Sequence, residues 1–334
     1  MKICLYLEFY NFLNGILFRK IGTGLLSSYR NQQKIIKYLD VECVEKYDDS
    51  CEVLIINTPW IRSLSLIKKA RKNGAKIIIW SHVTAEDAKD VFRFAKFFNP
   101  LLKKYLTYAY GLADIVLCPT SYTKGLLLNY GLPEKKLVVQ SNGVDLLKFQ
   151  KDEKKRNYYR EKYELERVAI GHVGLAIPRK GIKTFLKLAH KFSESQFIWY
   201  GKIYSSFLVK SLPKVLPANV NFTGYADDAA AAFNSLDIFL FPSHEENQGM
   251  AILEAAAIGL PILVRDIGAY EGWLIHDENC LKAKNEEEFA RYLDMLIKDG
   301  ELRKRLGENA RILAGDERNE GQAEKLEKII YGLS

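Results

Sequence analysis

Short apolar runs and longer amphipathic stretches alternate along this chain, and the alternation happens twice. In the first half the runs KICLYLE, VLIIN, KIIIWS and IVLCPT are separated by stretches with helical spacing, such as GLLSSYRNQQKIIKYL and SLSLIKKARKNG. A second series follows: VAIGHVG, QFIWYG, VNFTGY, IFLFPS and PILVRD, again with helices between. Runs this short and this continuously apolar predict strands buried on both faces. Strands alternating with helices predict a mostly parallel sheet covered by helices on both sides. Two such series predict an α/β fold of two Rossmann-like domains facing each other across a cleft. The charge-dense segment QKDEKKRNYYREKYELER reads as a surface helix after a linker. The expected domains are therefore 1–147 and 148–334. From Glu286 onward the pattern predicts three more helices, with the final one packing back on the first domain.

Composition adds two limits. At 334 residues with 48% hydrophobic positions, the chain can build two cores. No apolar run reaches the roughly 18 residues needed to span a bilayer. The start, MKICLYLEFYNFL, lacks a small-residue cleavage site and reads as the first strand, so a cytoplasmic protein is expected. Five scattered cysteines with no CxxC pair read as free thiols. The charge is more telling. Residues 1–145 carry 21 Lys and Arg against 13 Asp and Glu, while the remainder holds 28 of each, so the whole excess of +8 lies in the first half. Either that half has an ordinary basic surface, or it faces something anionic.

The candidate chemistry gathers at the predicted strand ends, where open α/β sheets bind ligands. In HEENQGMAILEAAA, Gly249 opens a helix whose first N–H groups suit a phosphate. Glu246 precedes it and Glu254 lies eight residues on, a span on the order of 12 Å at helical rise. That is about the reach of a nucleotide sugar, so Glu246 would hold hexose hydroxyls and Glu254 ribose hydroxyls, with the diphosphate between. The plainer alternative makes Glu245 and Glu246 electrostatic caps and Glu254 a surface acid. However, Glu254 is embedded in an apolar helix, and a buried carboxylate needs a partner. In GLAIPRKGI, Arg179 and Lys180 follow Gly174 and suit a diphosphate leaving group. His82, just past a first-domain strand, faces the expected cleft, and His244 beside the acidic pair is a weaker candidate. Gly22, Thr23 and Gly24 form a loop for close backbone approach, on the acceptor side of the cleft; the full GxGxxG of a nicotinamide site is missing.

Residues 88–111, AKDVFRFAKFFNPLLKKYLTYAYG, put Lys89, Arg93 and Lys96 on one helical face, continued by Lys103 and Lys104. The stripe Phe94, Phe98, Leu101, Tyr105 and Tyr108 is expected to pack on the core, leaving Phe92 and Phe97 near the basic face. Basic and aromatic residues in this arrangement suit an anionic membrane surface, to which Lys68, Lys69, Arg71 and Lys72 would add. No nucleic-acid module is visible, so nucleic acid is not an expected partner.

Three motifs together, Glu246…Glu254, SNGVD at Ser141–Asp145 and RKG at Arg179–Gly181, resemble the retaining glycosyltransferases of family 4, which have the GT-B fold. SHVTAEDAKDVF, PTSYTKGLLLNYG, FIWYG and VRDIGAYEGWL are similar to the bacterial enzymes that add a second hexose to diacylglycerol glycolipids. The resemblance covers nearly the whole chain. It implies that Glu246 holds the donor hexose, Glu254 the ribose, and that Lys180 and Arg179 neutralise the diphosphate. His82 would touch the hexose near the reacting carbon. The backbone of Asn247, Gln248, Gly249 and Met250 would bind hydroxyls and phosphate, and Gly174, Gly201, Gly224 and Tyr225 complete the expected donor pocket. One departure stands out: many relatives carry Arg where this chain has Leu175.

The implied activity is transfer of a hexose from UDP-glucose or UDP-galactose to a membrane glycolipid such as monoglucosyl-diacylglycerol. The implied location is the inner face of the cell membrane. No cofactor or metal is expected, since no persuasive DxD follows a second-domain strand. A soluble or polysaccharide acceptor, a nucleotide-sugar epimerase of the same fold, and a non-catalytic binding module are the alternatives.

Overall fold

Two six-stranded sheets organise the molecule, and all strand pairings in them are parallel. This computed structural model describes residues 1–8, 24–89, 95–203 and 216–333, without the side chains of residues 88, 89 and 95–97. The first sheet comprises β1 (Lys2–Tyr6), β2 (Glu42–Val44), β3 (Val53–Ile56), β4 (Lys76–Trp80), β5 (Ile115–Cys118) and β6 (Leu137–Val139), in the order β2-β1-β3-β4-β5-β6. Its helices are α1 (Gly24–Lys37), α2 (Ile61–Lys72), α3 (Ala85–Lys89), α4 (Ala95–Gly111) and α5 (Ser121–Asn129). After α6 (Glu153–Lys162) the second sheet is built from β7 (Ala169–Val173), β8 (Gln196–Tyr200), β9 (Val220–Gly224), β10 (Ile238–Phe241), β11 (Ile262–Arg265) and β12 (Leu281–Ala283). Its order is β12-β11-β10-β7-β8-β9. Its helices are α7 (Ile182–Lys191), α8 (Ala229–Asn234), α9 (Met250–Ile258), α10 (Glu286–Lys298) and α11 (Gly300–Asp316), and α12 (Asn319–Tyr331) ends the chain.

Alternate residues of each strand feed opposite cores, as a pleated strand requires. In the first sheet Leu54, Ile56, Ile77 and Ile79 pack on one side, while Val53, Ile55, Ile78 and Trp80 pack on the other. In the second, Trp199 and Leu240 share one core, and Tyr200, Phe239 and Phe241 the other. Helix α12 joins the first domain's core through Ala323, Leu326 and Ile330, beside Ile3 and Leu5. Gln140 locks the contact by donating from Nε2 to the Gln322 carbonyl at 3.0 Å.

The structure adds β2, β6 and β12 to the strands expected from the pattern. Each has three residues and lies at a sheet edge. An edge strand pairs on one side only and needs no long apolar run, so periodicity has little to register. The expectation for α4 is corrected. Phe98, Leu101 and Tyr108 are 64%, 68% and 53% exposed, and Leu106, Ala109 and Tyr110 are buried in their place. Two apolar stripes interleave on this helix, and only docking against the sheet decides which one is buried. Phe92 and Phe94, and the side chain of Phe97, lie outside the described residues.

Candidate functional site

The helices that follow β7 and β10 differ from most others in how they begin. Asp152, Asp228, Asn285 and Asp299 cap α6, α8, α10 and α11 with side-chain oxygens, and Thr120 caps α5. By contrast, α7 and α9 open on Gly181 and Gly249, at φ +78° and +89°, with no side-chain cap. A Cβ at Gly181 would meet the Pro242 carbonyl at 2.1 Å, so both the backbone twist and the space call for glycine. The opening N–H groups of α9 are thus left for an anion.

Two buried carboxylates flank that helix start. Glu246 is 6% exposed and Glu254 7%. Lys180 Nζ donates to Glu246 Oε1 at 2.5 Å, and Arg179 Nη1 stands 3.4 Å from the same oxygen. Burial alone would raise the Glu246 pKa, but Lys180 and Arg179 more than offset it and hold it below the usual value. Burial has the opposite effect on Lys180, lowering its pKa despite the attraction of Glu246. Glu254 has no hydrogen bond or ion pair among the described residues. Burial pushes its pKa up to about 7, with Lys148 pulling weakly the other way.

The first domain closes over this cluster. Asn247 donates from Nδ2 to the His82 carbonyl at 3.0 Å and to Asp87 Oδ2 at 2.5 Å. Its own carbonyl accepts from Thr120 Oγ1 at 2.8 Å. Gln248, expected to serve the donor, has its side chain occupied: Oε1 accepts from Asn142 Nδ2 at 2.8 Å and Nε2 donates to Ser141 Oγ at 2.7 Å. Its backbone and that of the buried Met250 remain at the helix start. His82 stacks on Trp80, with ring centroids 5.5 Å apart. Its Nε2 sits 3.1 Å from both Asn57 Oδ1 and Gln32 Nε2. Burial drops its pKa to about 3, so it acts as a neutral hydrogen-bonding group and not as a cation. Glu245 accepts from Tyr122 OH at 2.8 Å across the cleft, and burial, helped by Asp87 and Glu86, lifts its pKa to about 7. His244 is exposed, with its backbone N–H on the Arg179 carbonyl at 2.9 Å.

Around the mouth of β7, Gly201 is obligatory, because a Cβ there would lie 1.7 Å from the Gly174 carbonyl. Gly201 bridges Gly224, and Tyr225 stands partly exposed beside it. Leu175 is apolar, and Arg179 reaches the carboxylates from four residues further on. Gly24 opens α1 into free space, whereas Gly22 and Thr23 lie outside the described residues. Sequence reasoning overlooked Asp87, Thr120, Tyr122 and Asn142. All four stand inside motifs it had singled out, but nothing local marks them as partners of residues more than 100 positions away.

The basic residues divide. Lys68, Lys72 and Lys104 are exposed. Lys69 pairs with Asp49 at 2.9 Å, Arg71 with Asp114 at 3.1 Å, and Lys103 lies 4.8 Å from the Tyr130 ring. Arg93 and the side chains of Lys89 and Lys96 lie outside the described residues. No helix among those described is long and apolar enough to cross a membrane, and no group of three or more His, Cys, Asp or Glu there is set to hold a metal.

Comparison with known proteins agrees with this architecture. Residues 153–313 match the family described as glycosyl transferases group 1, and residues 16–147 match glycosyltransferase family 4. The processive diacylglycerol alpha-glucosyltransferase of Acholeplasma laidlawii is 31% identical over 305 residues, covering 89% of this chain and 88% of that protein. Among solved structures, sucrose-phosphate synthase from Thermosynechococcus elongatus superposes with a TM-score of 0.81 at 15% identity, covering 100% of this chain and 99% of that one. Anabaena Alr3699/HepE, solved with UDP-glucose, superposes with a TM-score of 0.78 at 14% identity, covering 99% and 100%. The chain belongs to the family 4 glycosyltransferases and is a hexosyltransferase of the GT-B fold.

Proposed function

We propose that the enzyme moves a hexose from UDP-glucose or UDP-galactose to a membrane glycolipid such as monoglucosyl-diacylglycerol, with retention at the anomeric carbon and without a metal. The observation that carries this reading is the pair of buried carboxylates at either end of an uncapped helix start, beside two cations. Its lipid side is supported by the relative's action on diacylglycerol. The hexose hydroxyls lie on Glu246, the ribose on Glu254, and the diphosphate on the N-terminus of α9 with Lys180 and Arg179. The bond from hexose C1 to the diphosphate oxygen breaks, and its electron pair leaves with UDP. The acceptor hydroxyl bonds C1 on the same face, and its proton passes to the departing phosphate oxygen. Preorganised cations at the leaving group supply the main stabilisation. No covalent enzyme intermediate is involved, so Glu246 positions the sugar.

The membrane face combines the exposed Phe98, Leu101 and Tyr108 with Lys104, Lys68 and Lys72. On this reading the enzyme works on the cytoplasmic side of an anionic leaflet. A screen of radiolabelled UDP-sugars against purified glycolipids in EDTA tests the reaction, and NMR of the product reads its anomeric configuration. Transfer only to soluble sugars, an inverted product, or interconversion of UDP-hexoses without acceptor would each replace this reading. Sedimentation with anionic liposomes, weakened by salt, tests the membrane side.

A further inference from the structure

The first domain sets one carboxylate directly against the donor-side cations. Asp87 lies on α3, five residues past His82, and its two oxygens do different jobs. Oδ1 stands 3.5 Å from Arg179 Nη1, and Oδ2 accepts from Asn247 Nδ2 at 2.5 Å. Thr84, on its own domain, steadies Oδ2 with a hydroxyl at 3.2 Å. Both of the second-domain residues it touches flank Glu246. Arg179 is 3.4 Å from the Glu246 carboxylate, and Asn247 follows it in the chain. The Arg179 guanidinium is only half used: Nη1 is shared among Glu246, Asp87 and the Glu245 carbonyl, while Nε is buried without a partner. A planar guanidinium offers donors on two edges and can serve two anions at once.

We propose that Asp87 is a positioning residue for sugar transfer: as the domains close, its carboxylate draws the Nη1 end of Arg179 toward itself, holds that guanidinium in place beside Lys180 for the donor diphosphate, and fixes Asn247 beside Glu246. The proposal rests on the reading of Arg179 as a diphosphate-binding cation. It makes that cation complete only in the closed cleft, because one of the three partners of its Nη1 belongs to the other domain. Leu175 sharpens the need. With no cation at that position, Arg179 and Lys180 carry the leaving group together.

The test compares wild type, Asp87→Asn and Asp87→Glu in kcat, donor KM, UDP affinity by calorimetry, and radius of gyration with UDP bound. Asn keeps the shape and an acceptor for Asn247 but drops the charge. Asp87→Asn is expected to lower kcat roughly 10- to 50-fold, with donor KM and UDP affinity within about threefold. Its UDP complex should be measurably more open than wild type, and Asp87→Glu should recover at least half of the rate. An Asp87→Asn enzyme with kcat within about twofold of wild type overturns the proposal. So does a loss of UDP affinity as large as the loss of rate, or an Asp87→Glu protein no better than Asp87→Asn. If the wild type transfers no hexose, the functional reading fails on its own. The scattering comparison still decides on Asp87, since equal radii for wild type and Asp87→Asn would reject the latch.

Discussion

Glu246 and Glu254 are the same residue type, nearly equally buried, eight positions apart, and the protein treats them in opposite ways. Glu246 is matched by Lys180 at 2.5 Å and Arg179 at 3.4 Å, and its pKa is depressed. Glu254 has only a distant Lys148 to offset its burial, and its pKa rises to about 7. Breaking a buried pair by removing one partner leaves an uncompensated charge, so the Glu246 end is locked in place before any ligand arrives. The Glu254 end is costly without a ligand, since a buried carboxylate lacking hydrogen bonds is destabilising. On the function proposed above, the Glu246 end of the donor trough is organised for chemistry, and the Glu254 end gains its partner from the bound donor.

The sharpest way to break this contrast is to neutralise each end in turn. Glu246→Gln leaves Lys180 and Arg179 without their carboxylate and should cost roughly 100- to 1,000-fold in kcat. Steady-state kinetics with the donor identified by screening would show it, and a tenfold or smaller loss would remove Glu246 from the reacting end. Glu254→Gln should act on binding instead, raising donor KM and UDP dissociation constant about 10- to 100-fold with kcat changed less. If kcat fell as far as in Glu246→Gln, the two ends would not differ in role.

A smaller effect separates the two ends without any substrate. A carboxyl whose pKa is higher folded than unfolded stabilises the fold when protonated. For Glu254 that contribution is complete below the ordinary 4.5 and is lost as pH climbs through about 7. The wild-type Tm should therefore fall relative to Glu254→Gln between about pH 5 and pH 8, by at most about 3 kcal/mol in stability. Saturating UDP should remove the difference by giving the carboxylate its partner. Thermal melts across that range in which the two proteins run parallel would show that Glu254 is already satisfied.

The contrast between the ends also marks what the sequence made legible. Strand, positive-φ glycine and apolar helix are local features, so Glu246, Gly249, Glu254 and Lys180 stood out as a group. The two-domain parallel architecture was readable for the same reason, since each long central strand announces itself. The edge strands β2, β6 and β12 were too short to do so. The buried face of α4 was ambiguous, because Phe98 and Leu101 follow helical spacing as well as Leu102 and Leu106 do. His82 was legible as a cleft residue, but the partners that closure brings together were not. Asp87 meets Asn247 across 160 positions, and Thr120 meets it across 127. No periodicity encodes how one folded domain docks on another.

Glu245, adjacent to Glu246, supplies the mildest test of where the trough stops. Its carboxylate accepts from Tyr122 OH at 2.8 Å, so it faces the first domain and not the helix start that would hold phosphate. That contact is half-exposed and neutral on the donor side, worth about 1–2 kcal/mol. Tyr122→Phe should therefore lower kcat/KM about two- to tenfold through poorer closure, and leave the UDP dissociation constant unchanged. Because the lost hydroxyl favours the Glu245 carboxylate, its removal pushes that carboxyl further above about 7. The contact is strongest to the ionised carboxylate, so the loss should be largest above about pH 7 and shrink on the acidic side. A weakened UDP affinity in this variant would move Glu245 into the donor site.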